Sequence, residues 1–403
     1  MKLNCGDVVD MCNNKMVVVL GKNNYTSYGV IKSLGEAGYN SCVISQYSPF
    51  IPRWKADVVS KYTKERYFVR QKNDAGILNI LMNEIDTSEG KLLLIPTDDY
   101  NVAFVEANAT VLRTKYYIPY VKNGSIKLLQ QKGYQKRIAE QSGFCVARNW
   151  QILAEKSNVQ IPQDMVYPCF VKPLISIEGA KSMMRRCNSK EELQQHLSNA
   201  SAKTVNYCVE EFIDITKEYS VPGYSFGGKV YIPAFCKKLV TSRGSHCGVT
   251  VLAEIESASR YLSIVEKITE FVNCCGYNGI FDVEIIESNG KIYFNEINFR
   301  DSAAEYGVTT AGVSVPGKYV EAVLNSKFEP EEVNEKVIFI NEFAALNEYK
   351  DGVIDLKKYK EYVNMATVPF LTDKSDIFAK LSFEANIFRY IILKFLRGVM
   401  GTL

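Results

Sequence analysis

The chain has 403 residues, of which 47% are hydrophobic and 23% are charged, and its formal net charge at pH 7 is +3. This length exceeds one ordinary domain, so we expect the chain to bury at least two hydrophobic cores. Acidic and basic residues are nearly balanced and no long run of one sign occurs, which argues against a nucleic-acid partner. Only two histidines are present, which removes His-rich metal sites and argues against a His-based catalytic triad.

The eleven cysteines mostly stand singly in apolar or strand-like runs, such as the one around Cys169. The sequence shows no secretory signal, so we expect free buried thiols in a reducing cytoplasm rather than disulfide bonds. Cys274 and Cys275 are adjacent and lack the spaced second pair that a zinc site requires. The cysteines therefore favour a cytoplasmic location and give little support to a structural metal.

The first long part of the chain has a β-α-β pattern. Residues 16–21 form a β-branched run that ends in Gly, a helical pattern follows, and residues 41–45 read as a second strand. Residues 91–96 read as a further buried strand, and the Thr-Asp-Asp at 97–99 could cap a helix. Residues 16–125 are therefore predicted to form an open parallel α/β domain. No complete G-x-G-x-x-G occurs in it, so a dinucleotide cofactor is not expected.

The pattern changes after residue 125 to helices alternating with strands that end in charged residues. Residues 126–327 are predicted to carry the chemistry. Residues 1–15 are interpreted as a variable leader and residues 328–403 as a C-terminal extension.

The end of this extension is an apolar stretch interrupted by Arg389, Lys394 and Arg397. These charges make it too interrupted to span a bilayer, but it could form a basic amphipathic helix that contacts a membrane surface. A helix packed on the body, or on a second copy of the chain as in a homodimer, is an equal alternative.

The most informative stretch runs from residue 281 to residue 300. Two strands joined by a Ser-Asn-Gly turn are predicted to form a hairpin in which alternate side chains share a face. Glu296, Asn298 and Arg300 lie on one such face, and the turn places Glu284 of the partner strand to reach it. Two carboxylates and an amide oxygen suit Mg²⁺ that bridges nucleotide phosphates, with Arg300 beside them to stabilise developing charge. The flanking strand positions are mostly apolar, which favours a metal site over the wet side of an ordinary hairpin.

This Glu-x-Asn-x-Arg ending resembles the metal-binding end of the ATP-grasp superfamily, nearest to its D-aspartate-ligase-like and carbamoyl-phosphate-synthetase-like members. The resemblance implies an α/β fold in which the N-terminal domain precedes a two-subdomain ATP-grasp module. It implies ATP and two Mg²⁺, with Mn²⁺ as an alternative metal. Glu284, Glu296 and Asn298 would be the metal ligands and Arg300 a catalytic residue, while Asp282 competes with Glu284 for the first position.

The residues that the resemblance assigns to phosphate lie upstream, in family order. Lys132 and Lys172 resemble the two lysines that contact the nucleotide phosphates. Gly179 lies in a segment that resembles the mobile loop covering the phosphates, although this segment is less glycine-rich than is usual in the family.

The base and the sugar are assigned to the residues that follow. Glu210, Glu211, Phe212 and Ile213 resemble the hinge whose backbone pairs with the adenine edge. Glu218 takes the place of the carboxylate that grips the ribose hydroxyls.

A further lysine and a loop complete the resemblance. Lys237 or Lys238 would supply another phosphate contact, with Lys238 preferred by its strand position. Arg243 could hold an acceptor carboxylate in a bidentate grip. His246, in the same Gly-flanked loop, could orient a nucleophile or be a plain loop histidine.

Together these features imply a carboxylate–amine ligase that forms an amide through an acyl phosphate and releases ADP and phosphate. Its partners would be a small-molecule carboxylate and an amine, in cell-wall, capsule or peptide-like metabolite synthesis. Activation of bicarbonate is an alternative, although the chain shows no duplicated grasp half and no biotin-carrier segment. A non-catalytic nucleotide sensor is a second alternative, but we would expect it to lack Glu284, Glu296 or Arg300.

Overall fold

The computed structural model describes residues 16–22, 25–48, 55–153, 160–175, 183–200, 205–243 and 248–400, with only the backbone described at 199–200, 391 and 393–400. The predicted positions Gly179 and His246 lie outside these residues.

The N-terminal part is a parallel α/β layer. Its elements are β1 (Met16–Gly21), α1 (Tyr25–Glu36), β2 (Asn40–Tyr47), α2 (Ala56–Val59), β3 (Thr63–Arg70), α3 (Asp74–Asn79) with a π-helical turn (Ile80–Glu84), β4 (Leu92–Pro96), α4 (Asp99–Ala107), α5 (Ala109–Leu112) and β5 (Tyr116–Tyr117). The strands pair in parallel in the order β3-β2-β1-β4-β5, which confirms the predicted open parallel sheet. The strand order reverses at β1, and ligands of such sheets bind outside the carboxyl ends of the strands at this point.

A smaller antiparallel sheet follows. The elements of this region are β6 (Tyr120–Val121), α6 (Ile126–Leu129), α7 (Lys132–Gln141), β7 (Cys145–Val146), β8 (Asn149–Ile152), β9 (Cys169–Pro173), β10 (Arg185–Cys187), α8 (Lys190–Ala200) and β11 (Tyr207–Glu211). Four of these strands pair in the order β10-β9-β11-β8. Leu193 and Leu197 of α8 lie four residues apart, on one helix face, and are buried in the core of this sheet.

The large sheet is built mainly from later strands. The remaining elements are β12 (Lys217–Phe226), β13 (Lys229–Tyr231), β14 (Ala234–Thr241), β15 (Thr250–Ser257), a 3₁₀ turn (Ala258–Tyr261), α9 (Leu262–Cys275), β16 (Tyr277–Ser288), β17 (Lys291–Asn298), α10 (Glu305–Thr310), α11 (Val315–Asn325), β18 (Val337–Ile340), α12 (Glu342–Lys350), α13 (Leu356–Met365) and α14 (Ile377–Met400). The strand order is β18-β15-β14-β12-β16-β17-β7, with β13 beside β12 and β6 beside β16.

One hydrophobic core joins the beginning and the end of the chain. Tyr28 of α1 packs its ring 5.1 Å from that of Phe370, which also lies 5.1 Å from Tyr306 of α10 and 5.5 Å from Phe339 of β18. β18 itself pairs with β15 of the large sheet. The C-terminal segment is therefore packed into both the N-terminal layer and the large sheet.

The structure bears on the predicted state of the cysteines and on the predicted absence of a membrane-spanning helix. The described cysteines are free thiols, buried except for Cys145 and Cys274. No helix among the described residues is long and apolar enough to cross a membrane.

Candidate active site

The hairpin of β16 and β17 presents two carboxylates to each other. Its two-residue turn, Asn289-Gly290, has positive φ at both positions, 49° and 75°, as the turns that match strand twist require. This turn sets the register as far as Ile285 and Phe294, and an irregularity with Asn295 as the extra residue then places Glu284 of β16 opposite Glu296 of β17. The structure thus brings together the two carboxylates that the sequence predicted as metal ligands.

A second polar pair lies further along the same hairpin. Asp282 stands opposite Asn298, two residues from Glu284 and so on the same face of β16. Asp282 is fully buried and accepts a hydrogen bond from Ser220 Oγ at 2.5 Å. Burial raises the pKa of this carboxyl. Glu284 is partly exposed, so a ligand from solution reaches it more easily than it reaches Asp282.

The two opposed glutamates differ in charge state. Lys132 Nζ lies 2.7 Å from Glu296 Oε2. Although burial raises the pKa of Glu296, the charges of Lys132 and Lys172 lower it to about 2. Burial raises the pKa of Glu284 to about 7. The Lys238 charge opposes this shift, and the Glu296 charge adds to it. The pair therefore combines a firmly ionised carboxylate with one that titrates near neutral pH.

The two adjacent lysines of β14 have different partners. Lys238 Nζ is buried, pairs with Glu218 of β12 and lies 3.6 Å from Glu284 Oε1. Lys237 Nζ instead lies 3.4 Å from Glu254 Oε2 of β15. Successive strand residues point to opposite faces, so only one of the two can face the hairpin carboxylates. The structure places Lys238 there.

A buried ion triad lies beside Glu296. Glu210 of β11 accepts from Lys172 Nζ at 2.7 Å and lies 3.3 Å from Lys136 Nζ. Lys172 Nζ also donates to Asn295 Oδ1 of the hairpin at 3.2 Å. The sequence reasoning missed Lys136, although its position one helical turn after Lys132 on α7 puts both lysines on one face. That spacing was the signal that could have found it.

The net pKa shifts of the two lysines in this triad have opposite directions, although burial favours the neutral form of both. Burial lowers the pKa of Lys136, and the Glu210 charge only partly offsets this effect. It also acts against the charged form of Lys172, but the carboxylates of Glu210 and Glu296 outweigh it and raise the pKa. The Glu210 side chain thus contacts Lys172, one of the two predicted phosphate lysines, together with Lys136.

The remaining hinge residues lie where β11 ends. Phe212 N donates to Pro168 O at 3.1 Å, and the Arg186 guanidinium lies 4.2 Å from the centre of the Phe212 ring. Glu211 Oε2 lies 3.4 Å from Arg148 Nε at the surface, and Ile213 is partly buried. The structure places these residues at the carboxyl end of β11, an inner strand of the antiparallel sheet.

Arg300 connects the hairpin to the N-terminal layer. Its Nε donates to Asp99 Oδ1 at 3.0 Å, and its Nη2 donates to Asn298 Oδ1 at 3.3 Å. Asp99 begins α4 directly after the N-cap Asp98, at the carboxyl edge of β4. The sequence reasoning treated this Asp-Asp pair only as a helix cap, although its place beside the strand switch point was a signal for a site.

Arg243 lies two residues after the end of β14. Its side chain is exposed, and its backbone N donates to Glu348 Oε1 at 3.0 Å. The same Glu348 oxygen accepts from Ser242 Oγ at 2.5 Å. The structure thus fixes the backbone at the start of this loop.

A narrow polar cleft lies beside the hairpin. Its walls are formed by Asp99, Gln130, Lys132, Gln135, Ile175, Glu296, Ile297, Asn298 and Phe299. Gln135 of α7 braces one wall, since its Nε2 donates to Ile297 O at 3.0 Å while its Oε1 accepts from Ile297 N at 3.1 Å.

The donor set of the hairpin fits a magnesium ion shared with phosphates. No group of three or more His, Cys, Asp or Glu side chains within the described residues has the spacing of a complete metal site. Mg²⁺ in nucleotide sites needs only one or two carboxylates, because phosphates and waters complete its octahedron. Glu284, Glu296 and Asn298 provide two carboxylates and an amide oxygen on one face.

Residues 137–310 match the sequence profile of the ATP-grasp domain. This segment of the chain matches the ATP-grasp family. The profile match includes every hairpin residue named above, together with Lys172, Glu210, Glu218 and Lys238. Lys132 and Lys136 precede it, and Asp99 lies in the α/β layer before the matched segment.

Comparison with known proteins agrees with this assignment. Over 342 residues the chain is 22% identical to the carbamoyl phosphate synthase large chain of Clostridium beijerinckii. The aligned region is 80% of this chain but 30% of that relative. The chain spans between 30% and 56% of the length of the first curated relatives that it matches.

Solved structures share the fold of this chain. The L-amino acid ligase of Bacillus licheniformis superposes with a TM-score of 0.59 at 14% identity, over 81% of this chain and 79% of that one. N5-carboxyaminoimidazole synthetase of Staphylococcus aureus, complexed with ADP, gives 0.61 at 15% identity, over 83% and 86%. At these identities the likeness shows the fold alone.

Proposed function

We propose that the protein is an ATP-dependent ligase that phosphorylates a carboxylate and joins the acyl group to an amine, releasing ADP and phosphate. The observation that carries the proposal is the hairpin face on which Glu284 and Glu296 oppose each other, with Lys132 2.7 Å from one and Lys238 3.6 Å from the other. Alternating carboxylates and ammonium groups of this kind fit a metal-bound triphosphate.

The hairpin residues would hold the metal. Glu284, Glu296 and Asn298 are the ligands that we propose for Mg²⁺, which when bound neutralises phosphate charge and orients the transferred group. Glu296 is charged at neutral pH, whereas Glu284 would lose its proton as the cation binds.

The lysines would hold the phosphates. Lys132, Lys172 and Lys238 contact carboxylates in the structure, and the phosphates of ATP are stronger competitors for the same ammonium groups. Glu210, buried between Lys136 and Lys172, fixes where these two side chains lie. The end of β11 would then take the adenine and Glu218 the ribose.

The acceptor site would lie where Arg300 meets the carboxyl edge of the N-terminal sheet. The contact between Arg300 and Asp99 brings that edge to the hairpin, and the strand order reverses beside it. A carboxylate bound there would lie next to the phosphate lysines. Arg243, whose side chain is exposed, remains our candidate for a second contact to the acceptor.

The reaction then needs positioning and charge stabilisation rather than a covalent nucleophile. A carboxylate oxygen attacks the γ-phosphorus as the bond to the ADP oxygen breaks, which gives an acyl phosphate. The amine nitrogen attacks the acyl carbon, phosphate leaves and the amine loses a proton. Arg300 would stabilise the negative charge that develops on the oxygens, and the cleft would hold the reactants in line.

The fold shared with an L-amino acid ligase favours amino acids as substrates, in cell-wall, capsule or peptide-like metabolite synthesis. Bicarbonate is the second candidate for the activated acid. The match to a carbamoyl phosphate synthase large chain over 80% of this chain favours it, and the same phosphorylation step would apply.

Nucleotide product analysis tests the proposal. The purified protein, Mg²⁺ and ATP are incubated with pooled carboxylic acids, amino acids or bicarbonate, and ADP and AMP are separated. We expect ADP release that depends on one pool. AMP release would contradict the acyl-phosphate route, and ATP binding without turnover on any pool would favour a sensor.

Two glutamates of the same hairpin provide a test variant and its matched control. Glu296→Ala removes a proposed metal ligand and should abolish the pool-dependent ADP. Glu287→Ala removes a carboxylate of β16 that pairs with Lys217 at 3.0 Å away from the cleft, and it should leave turnover intact. Equal losses in both variants would count against a metal role for Glu296.

A further inference from the structure

The last helix, α14, is apolar on two opposite sides. On the side toward the body, Ala379 and Phe383 are buried and Ile387 packs against the shared core. Tyr390 continues this side, and its hydroxyl donates to Lys350 O at 3.4 Å. The body therefore covers one face of the helix.

The other face is uncovered along its described length. Phe378, Leu381, Phe388 and Ile392 are 62%, 51%, 66% and 42% exposed, and Ala385 between them is exposed as well. Isolated exposed apolar side chains are ordinary, but a continuous row of them marks an interaction surface. We call these five residues the α14 stripe.

The spacing of the α14 stripe indicates a helical partner. Its members follow one another at intervals of three, four, three and four residues, the pattern of the first and fourth positions of a heptad. Such a narrow seam fits the knobs-into-holes contact of two helices. A helix lying in a membrane surface instead has a broad apolar face bordered by basic residues.

The charges beside the stripe indicate a second α14. Glu384 borders it on one side and Arg389 on the other, and both side chains are exposed. They are five residues apart, which is the offset at which the flanking positions of two parallel coiled-coil helices meet. Glu384 lies 3.3 Å from Lys380 of its own helix, yet its side chain is 47% exposed and can also reach a partner's arginine.

We propose that α14 pairs in parallel with the α14 of a second copy of this chain, stripe against stripe, about a two-fold axis along the helices. Each Glu384 then faces the Arg389 of the other copy, so the pair has two such contacts. The body covers the opposite side of each helix, and the two bodies therefore lie outside the pair. The stripe spans about 21 Å at 1.5 Å per residue, so the dimer is held by a short seam and depends on concentration. This proposal does not depend on the catalytic one.

The first test is the molar mass in solution. Light scattering of the full chain over a concentration series should show a monomer–dimer equilibrium. Leu381→Glu or Phe388→Glu should raise its dissociation constant by a factor on the order of 100, because each substitution removes two apolar contacts from one interface. Leu262→Glu is the matched control, since this residue is 63% exposed on α9 and should not alter the equilibrium.

The second test is a charge exchange, which only self-pairing in parallel can rescue. Glu384→Arg and Arg389→Glu should each weaken the dimer severalfold, since like charges then meet across the pair. The double variant E384R/R389E restores opposite charges and should restore the dimer. Dimers that weaken further in the double variant would overturn the parallel arrangement.

Three further outcomes would overturn the proposal. The chain could remain monomeric at all concentrations, or the dimer could persist unchanged in Phe388→Glu. The third outcome is a monomer that floats with phosphatidylglycerol vesicles through the α14 stripe, as judged by loss of flotation in Phe388→Glu. That result would assign the stripe to a membrane surface.

Discussion

Lys237 and Lys238 are adjacent in β14, yet their ammonium groups lie on opposite sides of the sheet. Lys238 is buried between Glu218 and Glu284, whereas Lys237 pairs with Glu254. We expect Lys238→Met to lower kcat by on the order of 10²–10³-fold, as loss of one charge-stabilising donor does elsewhere. Lys237→Met should change kcat less than about twofold.

The measurement is steady-state ADP release by both variants, together with their thermal unfolding. Unfolding matters because Lys238→Met leaves two partly buried carboxylates without their cation. Two variants of similar stability with equal activity would contradict the assignment of Lys238 to the site.

Glu284 gives the site a dependence on pH. Burial raises its pKa to about 7, so the group is neutral below that value and charged above it. Since Mg²⁺ binds the carboxylate, the apparent Mg²⁺ affinity should rise by about tenfold per pH unit below pH 7 and level off above it.

Mg²⁺ titrations of ADP release at pH 6 and pH 8 measure this effect. The comparison is with Glu284→Gln, which cannot lose a proton at this position and should show only the pH dependence of ATP itself. The same steep dependence in both proteins would exclude Glu284 as its source.

At the scale of elements, the sequence prediction depended on the alternation of polar and apolar side chains and on the residues that tight turns require. The hairpin of β16 and β17 was predictable because Asn289-Gly290 selects a two-residue turn and the polar residues alternate along β17. The triad of Lys136, Glu210 and Lys172 was not, since it joins a helix to two strands that pair only in the folded sheet. One sequence shows which face a residue lies on, but not which face of another element it meets.

The short helix α2 provides a test of burial at this scale. Asp57 is buried, and its Oδ2 has no hydrogen-bond partner among the described residues. Burial raises its pKa from 3.8 to about 7, although Lys55 and the Val58 amide oppose the shift. The folded state therefore binds this proton more tightly than the unfolded state. Its contribution to stability is complete below pH 3.8 and is lost as the pH rises through 7.

Asp57→Asn should remove this loss. We expect the variant to have a higher free energy of unfolding than the unsubstituted protein at pH 8. This advantage should exceed that at pH 5 by on the order of 1–3 kcal/mol. Urea unfolding at the two pH values measures the difference. An equal effect at both would show that Asp57 titrates normally in the fold.

At the scale of the whole molecule, the sequence did not reveal how the C-terminal segment is used. Its apolar residues were visible, but their partners lie more than 300 residues away in the chain, as with Tyr28 and Phe370. Lys32 of α1 is fully buried and forms an ion pair with Asp373. Such contacts follow from the packing of complete layers, which local patterns do not encode.

Removing this segment should therefore disrupt the N-terminal layer as well. A chain cut after residue 327 loses β18 from the large sheet and Phe370 from the shared core. We expect it to lose the cooperative thermal transition of the full chain, measured by circular dichroism and calorimetry. A shortened chain that melts cooperatively at the same temperature would show that residues 328–403 are dispensable for folding.

The central claim is that the activated carboxylate takes the γ-phosphoryl group. The most direct measurement uses the acid that supports ADP release, labelled with ¹⁸O in its carboxyl group, and determines the mass of the inorganic phosphate formed. An acyl phosphate transfers one carboxyl oxygen to phosphate, so the account predicts phosphate that contains one ¹⁸O. Unlabelled phosphate released together with ADP would contradict it, because the γ-phosphoryl group would then have passed to water.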